Sequence, residues 1–164
     1  MKRLLIIRHA HAELANHDIS DLERPLSDKG ERDARFLSEL LRDQYPDRLD
    51  LILTSPARRA GQTAQIIAQE IGVDEQKIQF RDSIYCGSME GLFNLICYAD
   101  DSISSVMLIG HNPQITFLAN QLSPCSIETI PPAGAVILDF DIDSWSRLFG
   151  KKAVSHFVIN PDKF

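Results

Sequence analysis

Apolar positions along this chain fall into two alternating rhythms. Residues 3–7 form a short run rich in Leu and Ile, the pattern of a buried strand. Runs at 51–54, 105–109, 135–140 and 154–159 read the same way, with a weaker strand at 77–80. Between them the apolar spacing lengthens to that of helices. Ala34, Leu37, Leu40, Leu41 and Tyr45 share one helical face, with Pro46 just past its end. Ser27 or Asp28 caps that helix, and Glu31 is a capping-box partner for Asp28. Ser55-Pro56 predicts an N-cap and first-turn proline for a helix to about Ile71, closed by Gly72. Further helices are predicted over 89–99 and from Pro113 to about Leu122, while residues 12–25 show no period and read as a loop.

Strands alternating with helices imply an α/β domain with a largely parallel sheet. No repeat, low-complexity stretch or long linker divides the chain, so residues 1–164 are expected to form one domain. In such sheets ligands bind at the carboxyl ends of the strands. Three strands end in reactive residues: Arg8-His9, Ser55-Pro56 leading to Arg58, and Gly110-His111. Distant positions would therefore meet at one sheet edge.

Composition narrows the partners. Lys plus Arg number 17 against 23 Asp plus Glu, for a net charge of −6. That balance argues against a nucleic-acid or anionic-membrane surface, because phosphate backbones are bound by excess positive charge. No segment approaches the ~18 apolar residues of a membrane span, and the run after Met1-Lys2-Arg3 is too short for a signal-peptide core. Three cysteines without a CxxC pair point to a reducing compartment, with the cytoplasm as the default, and to neither a disulfide framework nor a zinc site.

Two arginines and two histidines at one edge suit phosphoryl transfer. Guanidinium groups grip phosphate oxygens in pairs. A neutral imidazole is a good nucleophile, and phosphoryl transfer depends mainly on positioning and charge stabilisation. Arg8 and Arg58 would disfavour protonation of His9 and keep its attacking nitrogen free. His111 would donate a hydrogen bond to the phosphoryl group, and the helix after Ser55 or Pro113 could add backbone dipoles.

Leu5-Ile6-Ile7-Arg8-His9-Ala10 resembles the RHG-type signature of the histidine phosphatase (phosphoglycerate mutase-like) superfamily. Arg24-Pro25-Leu26-Ser27 with Gly30, Thr54-Ser55-Pro56 with Arg58, Ala60 and Gln62-Thr63, and Ile109-Gly110-His111-Asn112-Pro113 are similar to its later blocks, in family order. The short length and the RPLS motif resemble the SixA-type phosphohistidine phosphatases. The resemblance implies a three-layer α/β/α sandwich with a mostly parallel sheet. It also implies His9 as the phosphorylated nucleophile, and Arg8, Arg58 and His111 as the phosphate pocket. Ala10 stands where many members have glycine. Asp82 is the nearest match to the proton-donating glutamate of larger relatives, and Glu90 matches an element taken as structural. Arg24 either lines the pocket or fixes the loop by a salt bridge. Arg59 reads as a solvated helix residue and His11 as a rim residue. His17 and His156 read as structural, and residues 131–134 as a turn.

A phosphohistidine asks less of an acid than a phosphoester, since a protonated imidazole leaves as a neutral ring of pKa ~6.5. The expected substrate is thus a phosphorylated protein, such as a histidine-containing phosphotransfer domain, with a small phospho-compound as the alternative. No cofactor or metal is implied. A metal-dependent amidohydrolase reading of His9-Ala10-His11 fails on length, because those barrels need ~250 residues. A phosphate-binding module without turnover remains the rival that shares this fold.

Overall fold

The computed structural model describes residues 1–44 and 49–163, so the predicted helix-end positions Tyr45 and Pro46 lie outside the described residues. Six strands form one sheet: β1 (Lys2–Arg8), β2 (Leu51–Thr54), β3 (Ile78–Phe80), β4 (Ser105–Gly110), β5 (Ala135–Phe140) and β6 (Ser155–Ile159). Their order is β3-β2-β4-β1-β5-β6. β3, β2, β4 and β1 pair in parallel, while β5 runs antiparallel to both β1 and β6.

The strands are apolar on both faces because helices cover both. On one face Leu4, Ile6, Leu53, Val106, Leu108 and Val136 pack with α4 (Met89–Cys97), α5 (Gln114–Leu122) and Trp145. On the other, Leu5, Ile7, Ile52, Met107, Ile109 and Ile137 meet Leu37 and Leu41 of α1 (Asp28–Gln44) and Ala60, Ala64 and Ile67 of α2 (Arg58–Ile71). The result is the three-layer α/β/α sandwich. Alternate residues of each strand serve opposite layers, as the two-residue period of a strand requires.

Local chemistry sets the element ends. Ser27 is the cap of α1, its Oγ accepting from the Gly30 N–H at 3.1 Å. Gly30 itself allows close approach of α1 to the chain after β1: a Cβ there would lie 1.9 Å from the His11 carbonyl oxygen. Gly72 ends α2 in the left-handed conformation at φ 74°, its N–H reaching the Ala68 and Gln69 carbonyls. The start of α2 differs from expectation. Ser55 and Pro56 precede it, Ala57 is the N-cap without a side-chain bond, and the helix opens at Arg58. Ser55 is instead fully buried at the sheet edge. α3 is a single turn, Ser83–Cys86.

The ends of β1, β2 and β4 are tied together. The His9 N–H donates to the Gly110 carbonyl and the Ser55 N–H to that of Ile109. Because β5 is antiparallel, the loop before it reaches the same edge, where the Ala133 N–H bonds the His9 carbonyl. The 131–134 turn thus borders the site.

Candidate active site

At this edge lies a cleft of about 520 Å³ lined by Arg8, His9, His11, Arg24, Arg59, Tyr85, His111 and Asn112, among others. His9 follows the last residue of β1, and His111 follows the last residue of β4. Their rings stand 4.9 Å apart, centroid to centroid. Nδ1 of His9 lies 2.8 Å from the Ala10 carbonyl. A carbonyl only accepts, so Nδ1 carries the proton and Nε2 presents its lone pair. Arg59 Nε donates to that Nε2 at 3.3 Å. The structure therefore fixes both tautomer and direction.

Burial, with smaller contributions from His111, Arg59 and Arg8, pushes the His9 pKa down to about 3 against the pull of the Ala10 carbonyl. His111 is lowered to about 4, chiefly by burial and then by Arg59. Both imidazoles are neutral at pH 7. Ser55 Oγ lies 2.7 Å from His111 Nε2 and accepts from the Ala57 N–H. His111 Nδ1 is 3.5 Å from Arg59 Nη2. Thr63 Oγ1 accepts from the Ala10 N–H at 3.1 Å and so holds the backbone beside His9.

Of the residues singled out from sequence, the fold brings together Arg8, His9, Arg24 and His111. Arg24 does both things considered for it: it lines the cleft, and it pairs with Asp21 at 2.8 Å while bonding the Glu13 carbonyl. His11 sits at the rim, 4.0 Å from Asp33. Arg8 reaches the Ile130 carbonyl with Nη1. The Nε atoms of Arg8 and Arg24 are buried donors with no acceptor among the described residues, the state of groups built to meet an oxyanion.

Two assignments are corrected. Arg58 is exposed and points away from the cleft, and Arg59, expected to be solvated, is the buried arginine at 5% exposure. The reason is helical phase. Arg58 continues the polar row of Gln62, Gln65 and Gln69, whereas Arg59 lies on the buried side with Ala60, Thr63, Ala64 and Ile67. That periodicity was a usable signal. Asp82 is likewise exposed, holding α3 through its carbonyl, and is absent from the cleft lining. In its neighbourhood Tyr85 enters the cleft instead, edge-on to His111 at 5.5 Å. Asp21, from the segment read as a loop, stands behind the lining and pairs with Arg59 at 3.0 Å. No sequence signal marked it.

Among the described residues, none that lines the cleft is an aspartate or glutamate, and no cluster able to hold a metal ion occurs. The arrangement gathers three guanidinium groups and two neutral imidazoles in one cleft of an acidic protein. It can bind a tetrahedral oxyanion and attack it with one nitrogen.

The chain as a whole is similar to several known proteins. An uncharacterized chloroplastic protein of Arabidopsis thaliana is 34% identical over 156 residues, covering 90% of this chain and 71% of that one. The phosphohistidine phosphatase SixA of Escherichia coli is 27% identical over 124 residues, 74% of each chain. Among solved structures, the protein histidine phosphatase SixA complexed with tungstate matches with a TM-score of 0.82, at 21% identity over 98% of both chains. A mycobacterial glucosyl-3-phosphoglycerate phosphatase matches at 0.63 with 15% identity over 97% of both. At those identities the two structural likenesses speak for the fold alone. The sequence profile of the histidine phosphatase superfamily (branch 1) matches residues 4–101, spanning the first strand, the RPLS segment and the helix that carries Arg59. By that match, and by its relatives, this chain belongs to the histidine phosphatase superfamily.

Proposed function

We propose that this protein hydrolyses phosphohistidine on a protein substrate, through a phosphoryl intermediate on His9 and without a metal. The observation that carries the reading is His9 itself: Nδ1–H is held by the Ala10 carbonyl while Nε2 faces Arg59 among cations.

In the first step the Nε2 lone pair forms a bond to phosphorus as the bond to the leaving group breaks, and that group departs with the electron pair. The imidazolium so formed keeps its Nδ1–H on the Ala10 carbonyl, which stabilises the new positive charge. Arg8, Arg24 and Arg59 spread along the cleft and meet the charge on the three equatorial oxygens. His111 lines the same cleft beside His9 and donates a ring N–H to the phosphoryl group. In the second step water attacks phosphorus, the N–P bond breaks, and His9 returns with release of inorganic phosphate.

Leaving-group chemistry supports the choice of phosphohistidine. Alcohols leave poorly without a proton donor, and Asp82, the carboxyl expected in that part, is not among the described residues that line the cleft. Imidazole leaves readily, and the relatedness to SixA of Escherichia coli points the same way.

Trapping with a radiolabelled phosphohistidine protein is the direct test. An acid-labile label should map to His9, and the His9→Ala protein should bind tungstate but not turn over. Turnover should survive EDTA. Strong preference for sugar phosphates over a phosphorylated histidine-transfer domain would replace the protein substrate with a small phosphoester.

A further inference from the structure

We infer that Asp21 is a positioning residue, whose carboxylate bridges Arg24 and Arg59 and thereby fixes the direction in which Arg59 faces His9. The inference rests on the phosphatase reading above and assigns a part of the site that the reading leaves open.

Asp21 accepts from three neighbours through both carboxylate oxygens and its backbone carbonyl. Oδ1 accepts from Arg24 Nη2 at 2.8 Å. Oδ2 accepts from Arg59 Nη2 at 3.0 Å and from the Tyr85 hydroxyl at 2.8 Å. Its backbone carbonyl accepts from Arg59 Nη1 at 2.6 Å. Both terminal nitrogens of Arg59 are thus held by one residue, and Nε is left to address His9. The turn that carries Asp21 is itself braced, with Ser20 Oγ and Ser20 carbonyl both accepting from the Glu23 N–H. Three segments meet at this carboxylate: the 12–25 loop, the first turn of α2 and the single turn α3.

Stability alone does not account for this. The Asp21 side chain is 50% exposed and its pair with Arg24 adds little to folding, so the stabilising share lies in the pair with Arg59, whose side chain is 6% exposed. A role as proton donor accounts for it no better. Hydrogen bonds from Arg24, then Tyr85, then Arg59, hold its carboxyl far below the usual carboxylate range, so it stays ionised. What remains is orientation, obtained against an electrostatic cost. A carboxylate on two phosphate-gripping arginines weakens their pull on an incoming anion while restricting where the guanidinium points.

That opposition gives a distinctive signature. In Asp21→Asn the arginines gain net positive field but lose their fixed geometry. Wild type, Asp21→Asn and Tyr85→Phe should be assayed with phosphoramidate and with p-nitrophenyl phosphate, and titrated calorimetrically with tungstate. For Asp21→Asn, kcat should fall roughly 10- to 100-fold, the scale of a small misplacement of reacting groups. Tungstate should bind one per chain, as tightly as to wild type or more so. Tyr85→Phe keeps both arginine pairs and should lose less.

Wild-type kcat in Asp21→Asn overturns the inference. So does a parallel loss of turnover and tungstate stoichiometry, which marks a structural role. A loss confined to the ester, together with disappearance of the basic limb of its pH profile, would make Asp21 an acid and also overturn it. If wild type turns over neither compound nor a phosphohistidine protein, the phosphatase reading itself fails, a result separable from equal activity in wild type and variant.

Discussion

Arg59 Nε stands 3.3 Å from Nε2 of His9, though fifty positions separate the two residues along the chain. The pairing depends on α2 opening at Arg58, so that its second residue is turned toward the sheet. It also depends on β1 ending at Arg8, so that His9 emerges at the same edge.

Replacing the two neighbouring arginines separates their parts. Arg59→Ala should lower kcat/KM by about 10²- to 10³-fold, the usual effect of losing one donor to transition-state charge. Arg58→Ala, on the solvent side of the helix, should stay within a few-fold of wild type. Steady-state kinetics on one phospho-substrate decides it. Comparable losses in both variants would contradict the assignment.

Acid should affect turnover and stability differently. With His9 at about 3, its nucleophilic nitrogen is free across the neutral range, so the acid limb of kcat/KM attributable to it lies well below pH 6.5. Stability behaves otherwise. Above the unfolded value of about 6.5 neither state protonates these rings, so their contribution is fully present. Below it the unfolded chain takes up protons that native His9 and His111 refuse, and stability declines as pH falls toward about 3 and 4. Each ring adds up to ~1.4 kcal/mol of loss per pH unit. Denaturant melts between pH 7 and 4 should show a shallower decline in His9→Asn than in wild type. Equal slopes would mean that native His9 is protonated as easily as in the unfolded chain.

Ser55→Ala removes the hydroxyl that lies 2.7 Å from Nε2 of His111 and holds that ring in place. Turnover should fall roughly tenfold or more, as on losing a group that orients a catalytic histidine. Tungstate affinity, carried mainly by the arginines, should change less. Unaltered kcat would show that His111 needs no such partner.

Gly30→Ala tests the junction of α1 with the chain after His9. The added Cβ would meet the His11 carbonyl oxygen at 1.9 Å, so backbone must move. We expect a destabilisation of about 1–3 kcal/mol, as for overpacking, read from thermal unfolding. An unchanged Tm would show that the junction yields freely.

How much of this could be read beforehand varied by element. β2 and β5 appear with the limits that their apolar runs mark, Leu51–Thr54 and Ala135–Phe140, because doubly covered strands are continuous in hydrophobicity. The start of α2 differs from the predicted one. Ser55-Pro56 has the chemistry of a helix opening, yet Ser55 Oγ lies between the Ala57 N–H and His111, and the helix opens at Arg58. Arg59 was recoverable from the phase of the helix, since its row is apolar and that of Arg58 is polar.

What the sequence determined by itself was the alternation of strand and helix, the placement of His9 and His111 just past strand ends, and the family signature around them. These are properties of short windows, where apolar period and residue type act locally. Only the tertiary structure decided that Asp82 stays outside the cleft, that Tyr85 enters it and that Asp21 stands against Arg59. Those choices rest on contacts between segments dozens of residues apart, such as Tyr85 with Asp21 at a separation of 64. No local pattern encodes such a contact, because its energy exists only once the sheet has brought the segments to one edge.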